Sequence, residues 1–132
     1  MITRPIFNTI FTAGLALAGV LPAGSLNAQE FPNRPIRMVV PFPPGAASDF
    51  LARVLGQKLG ESWGQQIVVD NRPGAGGLIG GTVVAKANPD GYTIALVGQP
   101  HLTAFLLSKE PPWDPLKDFT HIAMVASMPN VI

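Results

Sequence analysis

Residues 36–60 read IRMVVPFPPGAASDFLARVLGQKLG, and this stretch decides the fold class. Its first five residues are rich in β-branched side chains and stop at Pro41, which predicts a buried strand over 36–40. The residues 41–48 are rich in proline and glycine and predict a turn. Apolar residues spaced for a helix come next, so the stretch indicates a strand, a turn and a helix in succession.

The residues after this turn predict an amphipathic helix. Leu51, Leu55 and Leu59 recur at intervals of four and form one apolar stripe, and a glycine at 60 or 64 ends the pattern. At the start of the helix we expect Ser48 to act as the N-cap. We expect Asp49 to place its negative charge in the first turn, where the helix dipole favours it.

The same pattern repeats along the rest of the chain. The further predicted elements are a strand over 66–70, a glycine-rich turn over 71–77, a helix over 78–87, a strand over 92–97, a turn over 98–101, a helix over 103–108 and a strand over 121–126. Strands that alternate with helices through short loops form parallel sheets with right-handed crossovers. The sequence therefore predicts an α/β domain with a mainly parallel sheet and flanking helices.

Residues 1–28 have the three-part layout of a secretory signal peptide. A cation at Arg4 precedes an apolar run over 10–21 and a small-residue stretch that ends at Ala28. The run is too short for a bilayer-spanning helix, which needs about 20 residues. We therefore expect cleavage after Ala28, with Ser25 as the alternative position, and a periplasmic location for the exported body.

The composition excludes several classes of protein. The chain of 132 residues is 47% apolar and 13% charged, which is unlike a disordered tail. It contains no cysteine, which excludes disulfides, thiolate metal sites and cysteine nucleophiles. The formal net charge of +1 argues against a nucleic-acid partner. His101 and His121 lack the spacing of metal ligands, and we expect neither a metal nor a cofactor.

The three turns between strands and helices are the candidate binding elements. They cover 41–48, 71–77 and 98–103, each after a predicted strand and before a predicted helix. In parallel α/β sheets, ligands bind at the edge formed by the carboxyl ends of the strands. The free amides at helix N-termini favour anions there. The third turn contains Gln99 and His101, and the histidine is a candidate ligand contact. The alternative is that the turns serve only as tight connections.

Two enzyme motifs are nearly matched and fail. Gly74, Gly76 and Gly80 resemble a dinucleotide fingerprint, but the last glycine lies one position too late and no acidic residue ends the next strand. A serine elbow at Ser48 needs a glycine two residues to either side, and neither is present. A nucleotide-dependent enzyme is therefore the less favoured alternative, and we expect the protein not to be an enzyme.

The motifs in combination resemble a known family. RPIR at 34–37, PFPPG at 41–45, NRPGAGG at 71–77 and PDGYT at 89–93 are similar to the N-terminal part of substrate-binding proteins of tripartite tricarboxylate transporters, the Bug receptor family. The likeness covers nearly all of residues 31–132. It implies one lobe of a periplasmic-binding-protein fold. It also implies a two-lobed receptor that closes on a small organic acid and delivers it to the membrane permease subunits of the transporter.

The resemblance implies a ligand class and its contacts. The ligand is a di- or tricarboxylate, an amino acid or an aromatic acid. The expected ligand-binding residues, with the third turn included, are Phe42, Gly45, Ala46, Ala47, Ser48, Asp49, Gln99 and His101. The family usually has a second glycine where this chain has Ala46, and a positive φ there would strain alanine. Asp49 is expected to order the turn and the helix start rather than to contact the ligand.

The chain ends at Val131 and Ile132, apolar residues typical of the start of a strand. If the last strand of a parallel sheet has no covering helix, one face of the sheet is exposed to solvent there. We therefore expect residues 29–132 to be the first lobe of a longer two-lobed protein. The alternative is a truncated remnant of such a receptor that does not bind.

We predict that residues 1–28 are removed on export. Mass spectrometry of the exported protein should find an N-terminus at Gln29, or at Leu26 for the alternative cut. The variant Ala28→Glu is the control, because a charged side chain directly before the cut should block cleavage there. Recovery of a peptide containing Arg4 from the soluble periplasmic fraction would contradict the prediction.

Overall fold

The computed structural model describes residues 30–127. The predicted signal peptide at 1–28 and the apolar end of the chain at 131–132 lie outside the described residues.

Three parallel strands form the sheet. In chain order they are β1 (Ile36–Val40), β2 (Ile67–Asn71) and β3 (Thr93–Ala95). The order across the sheet is β2-β1-β3, so β1 lies in the centre. Val40 pairs with Asn71, and Val39 pairs with Ala95. The predicted α/β fold with a parallel sheet is confirmed.

Three helices and one short 3-10 turn flank and connect the strands. They are α1 (Ala47–Trp63), the 3-10 turn (Ala75–Gly77), α2 (Leu78–Ala85) and α3 (Gln99–Leu107). Gly64 ends α1 because it adopts a left-handed conformation with φ 66°, and its amide donates to the Gly60 carbonyl. The glycine at 64 is therefore the stop signal that the sequence offered.

The central strand β1 supplies most of the core. Ile36, Val39 and Val40 are fully buried, and Met38 and Val40 pack against Ala52 of α1. Side chains alternate along a strand, so Val39 points to the opposite face from Met38. The chain moves from β1 to β2 and then reverses its direction across the sheet to form β3, and right-handed crossovers therefore place α1 and α2 on opposite faces.

The second helix approaches the end of β1 through a glycine. A Cβ atom on Gly80 would lie 2.7 Å from the Pro41 Cβ and 2.9 Å from the Arg72 carbonyl oxygen. No side chain larger than hydrogen fits between these groups. Gly80 therefore sets how closely α2 packs on the sheet.

An aromatic cluster attaches the residues after α3 to the helices. The His101 ring stacks on Trp113 with ring centroids 4.1 Å apart, and Phe119 meets both rings edge-on. The Trp113 Nε1 donates to the Leu78 carbonyl at 3.2 Å. Both His101 and Trp113 are only 3% exposed, so this cluster is a second, smaller core.

The buried imidazole of His101 is poorly suited to carry charge. Its Nδ1 makes no hydrogen bond of normal geometry within residues 30–127. Burial lowers the pKa of His101 below its usual range, and a weaker interaction with the Gly77 backbone opposes this shift only in part. His101 also lies in the first turn of α3, where the helix dipole disfavours a positive charge.

The structure corrects the predicted third turn. The turn expected over 98–101 is wrong, because α3 already begins at Gln99, and the helix expected over 103–108 is longer. Pro100 is compatible with this early start because the first helical turn needs no amide hydrogen there. His101 is therefore a buried helical residue and not a residue of an open turn.

The predicted cap of α1 is also wrong. Ala46 is the N-cap residue, and it makes no side-chain cap hydrogen bond. Ser48 lies inside the first helical turn, two residues after the cap position. Asp49 does lie in the first turn, as expected.

The fourth strand predicted over 121–126 does not form in the described part of the chain. Ile122 and Met124 are 80% and 84% exposed. Strand propensity reflects packing on a pleated surface more than an intrinsic preference, and no described strand pairs with this segment.

We predict that Gly80→Ala lowers the free energy of unfolding by about 1–3 kcal/mol, because the new methyl group overpacks the contact with Pro41. Helix propensity alone predicts the opposite sign, a gain of about 1 kcal/mol. Urea denaturation measures the difference. The control is Gly98→Ala, whose Cβ would meet only Pro100 at 3.7 Å. Equal stability of Gly80→Ala and the unaltered protein would show that the contact between Gly80 and Pro41 does not determine how closely α2 packs on the sheet.

We predict that stability falls as the pH falls below about 6.5, the usual pKa of histidine. The folded pKa of His101 is lowered, so the unfolded chain binds a proton first. The loss therefore starts near the unfolded pKa and continues until the pH is below the folded pKa. In His101→Phe, the melting temperature should no longer show this fall with decreasing pH. In His121→Phe, which changes an exposed position, the fall should remain. An unchanged pH slope in His101→Phe would contradict the assignment.

Candidate functional site

The three turns that follow the strands meet at one edge of the sheet. The strands are parallel, so their carboxyl ends lie side by side. The second turn touches both the turn after β1 and the first turn of α3, because a Cβ on Gly77 would lie 3.6 Å from the Pro41 Cβ and 3.7 Å from the His101 Cα. Turns that are separated by 20 or more residues in sequence therefore form one continuous surface.

The strand order marks a crevice on this edge. The connection from β1 goes to one neighbour, β2, and the chain then crosses to the other side of β1 to form β3. In open α/β sheets, ligands bind outside the carboxyl ends of the strands at the point where the order reverses. In this sheet, that point lies between the turn after β1 and the start of α3.

All three helices begin at this edge without a side-chain cap. Their N-cap residues are Ala46, Gly77 and Gly98, and none makes a side-chain cap hydrogen bond. Neither alanine nor glycine has a side-chain oxygen to accept from the first amides. The positive ends of three helix dipoles are thus left without a side-chain acceptor at one edge, a geometry that suits an anion.

The turn after β1 tolerates the alanine that replaces the family's second glycine. Gly45 has φ 83°, the left-handed conformation that favours glycine. Ala46 has φ −71° and ψ 161°, which any residue adopts without strain. The positive φ falls on Gly45 alone, so Ala46 does not alter the turn.

Asp49 ties this turn to α1 and β2. Its Oδ2 accepts hydrogen bonds from the Gly45 amide at 2.9 Å and the Arg53 Nε at 3.1 Å. Its Oδ1 accepts from the Asn71 Nδ2 at 3.0 Å and pairs with an Arg53 terminal nitrogen at 3.0 Å. A carboxylate has about four acceptor positions, and here four donors occupy them.

The same contacts keep Asp49 ionised. The hydrogen bond from Arg53 and that from the Gly45 amide lower the pKa of Asp49 to about 2, against an opposing effect of burial. The residue is only 4% exposed. A buried carboxylate whose acceptor positions are filled in this way supports the turn and has no free acceptor for a ligand.

Asn71 links the ends of two strands. Its Nδ2 donates to the Phe42 carbonyl at 3.1 Å as well as to Asp49. Asn71 is the last residue of β2 and pairs with Val40, the last residue of β1. This register brings its side chain under the turn that follows β1.

The structure brings most of the predicted binding residues to this edge. The stretch from Phe42 to Asp49 surrounds the start of α1, and Gln99 lies exposed at the start of α3. His101 differs from the rest, because its imidazole is enclosed by Trp113 and Phe119. Ligand contact by any of these residues stays a prediction.

Two residues of the network were missed in the sequence. Asn71 was read only as part of a glycine-rich turn, although it follows a strand that is parallel to β1 and so ends at the same edge. Arg53 was not among the expected site residues, although it lies four residues after Asp49 on the same helix. Both signals were available from spacing once the parallel order was assumed.

Residues 30–127 contain neither a metal-binding cluster nor a membrane-spanning helix. No three side chains of the kinds that bind metals come close enough to share an ion. No helix in this part of the chain has the length and apolar character to cross a bilayer.

Comparisons with known proteins identify the family of this chain. The family model described as the tripartite tricarboxylate transporter family receptor matches residues 51–132. A UPF0065 protein of Pseudomonas sp. (strain P51) from the tcbD-tcbE intergenic region is 44% identical over 123 residues, and protein BugT of Bordetella pertussis is 44% identical over 120 residues. These alignments cover 91% and 89% of this chain but 36% of each relative, so the chain spans little more than a third of their length.

Solved structures show the same fold. The structure of R. palustris Rpa4515 with adipate is 39% identical in sequence and has a TM-score of 0.60, over 65% of this chain and 29% of that one. The structure of a periplasmic transporter is 37% identical with a TM-score of 0.56, over 66% of this chain and 30% of that one. The chain therefore belongs to the tripartite tricarboxylate transporter receptor family, a family of receptors and not of enzymes.

Proposed function

We propose that this protein is an extracytoplasmic solute receptor that binds a small organic carboxylate at the edge where the three turns meet. The observation that carries the proposal is the start of three helices at this edge, each without a side-chain acceptor for its first amides. A carboxylate supplies the missing acceptor and the negative charge that the dipoles favour.

The relative with a bound ligand supports the class of ligand. The R. palustris structure contains adipate, a linear dicarboxylate, and it shares both sequence and fold with this chain. Gly74 and Gly98 at the exposed rim carry no side chains, so a ligand can approach the backbone closely there, whereas the Gly45 amide already donates to Asp49. We therefore favour a dicarboxylate over an amino acid or an aromatic acid.

A second depression in the surface is less suitable for an anion. It has a volume of about 470 Å³ and is lined in part by Arg34, Arg37 and Lys86. Arg34 is paired with Asp90, and Arg37 shares Asp70 with Arg72, so two of its three cations already have carboxylate partners. The edge with the uncapped helices is the better site.

The remaining parts of the proposal follow from the family. We propose that residues 1–28 direct export to the periplasm and that residues 29–132 form one lobe of the receptor. The bound acid is then delivered to the membrane permease subunits of the transporter. The family description, a receptor of a tripartite transporter, supports this role.

We predict that Ala47→Pro weakens adipate binding about tenfold, because an amide hydrogen bond to a charged group contributes about 1.5–3 kcal/mol. Proline is favoured at the first helical position, and the extended conformation of Ala46 is the one required before proline. The substitution therefore removes one N–H group without disturbing the helix. Isothermal titration calorimetry with adipate measures the affinity.

The matched control is Ala47→Ser, which keeps the N–H group at the same exposed position. It should bind adipate as the unaltered protein does. Undiminished binding by Ala47→Pro, with an unchanged melting temperature, would remove the start of α1 from the site.

A further inference from the structure

The side chain of Asp49 places a negative charge in the first turn of α1, next to the proposed site for an anionic ligand. Asp49 is the only acidic residue among the three turns and the first turn of α1. It is ionised, and its carboxylate accepts from the Gly45 amide next to the helix start. An unbalanced carboxylate in the first turn would offset the positive end of the helix dipole and repel a ligand carboxylate.

Arg53 is the residue that balances this charge. It approaches Asp49 with two nitrogens, Nε at 3.1 Å and a terminal nitrogen at 3.0 Å, which contact different oxygens of the carboxylate. The terminal nitrogen also lies 3.4 Å from the Asn71 Oδ1. The side chain of Arg53 is 57% exposed and that of Asp49 is 6% exposed, so the arginine lies between the carboxylate and solvent.

No other cation at this edge contacts Asp49. Arg72, the one cation of the second turn, contacts Asp70, a carboxylate that it shares with Arg37. The third turn contains no charged residue. The charge of Asp49 is therefore compensated by Arg53 alone among residues 30–127.

We propose that Arg53 is a specificity-determining residue, which neutralises Asp49 and so allows the adjacent helix start to accept an anion. This inference rests on the proposed function. Asp49 and Arg53 together are electrically neutral, so the carboxylate can hold the turn in place without opposing the ligand. The structural role of Asp49 and the anion specificity of the edge are thus compatible only because of Arg53.

The test is a double-mutant cycle with adipate as the probe. In Arg53→Gln, the hydrogen bonds from Gly45 and Asn71 keep Asp49 ionised, and adipate should bind about tenfold more weakly. The loss should shrink as salt is raised to about 0.5 M, because salt screens the repulsion. Adding Asp49→Asn to Arg53→Gln removes the unbalanced charge, and the affinity should return to within about threefold of the unaltered protein.

Two further variants separate charge from structure. Lys58→Gln removes a cation from the same helix, one that pairs with Glu61, and should leave adipate binding unchanged. Arg53→Lys keeps the charge and should keep most of the affinity even though it loses the two-nitrogen contact. A merely structural role for Arg53 predicts instead that Arg53→Lys and the double variant bind as weakly as Arg53→Gln at every salt concentration.

The outcomes are distinguishable. Undiminished adipate binding by Arg53→Gln, or equal losses in the single and double variants, would overturn the role of Arg53 and leave the proposed function standing. Failure of the unaltered protein to bind adipate would overturn both. Salt-dependent loss in Arg53→Gln with recovery in the double variant would establish the role of Arg53.

Discussion

The carboxylate of Asp49 is the interaction on which the functional edge depends. It accepts hydrogen bonds from a turn, a helix and a strand, through Gly45, Arg53 and Asn71. Buried charges are stable only when they are paired and hydrogen-bonded, and here every acceptor position is filled. The contacts fix the turn after β1 relative to the end of β2. Asp49 thus performs the ordering that a capping side chain would otherwise supply, while the first amides of α1 keep no side-chain acceptor.

The N-cap residues at this edge are too small to bond the first amides of their helices. The helices α1, α2 and α3 begin after Ala46, Gly77 and Gly98, residues too small to cap. An N-cap alanine is less stabilising than a capping side chain by about 1 kcal/mol, and an N-cap glycine by roughly a few tenths, so none of the three starts gains stability from its N-cap residue. Close packing makes the arrangement possible, because Gly77 and Gly80 let the second turn and α2 lie directly against Pro41. The protein therefore holds donors in place before any ligand arrives.

Local signals in the sequence were sufficient for β1, for an end of α1 at either Gly60 or Gly64, and for the meeting of the segments that follow the strands at one edge. They failed where distant contacts decide the outcome. The burial of His101 depends on the Trp113 ring, which no periodicity places over it. The segment 121–126 has strand propensity but pairs with no described strand. The role of Asn71 required the register with Val40, which follows from parallel pairing but not from composition.

The central claim is that ligand carboxylate binds to the backbone at the start of α1. An NMR titration of the isotopically labelled protein with adipate tests it most directly, because each amide reports its own environment. The account predicts that the largest changes in amide chemical shift occur at Gly45, Ala47 and Ser48. Changes concentrated instead around Arg34 and Lys86, or no changes at saturating adipate, would contradict it.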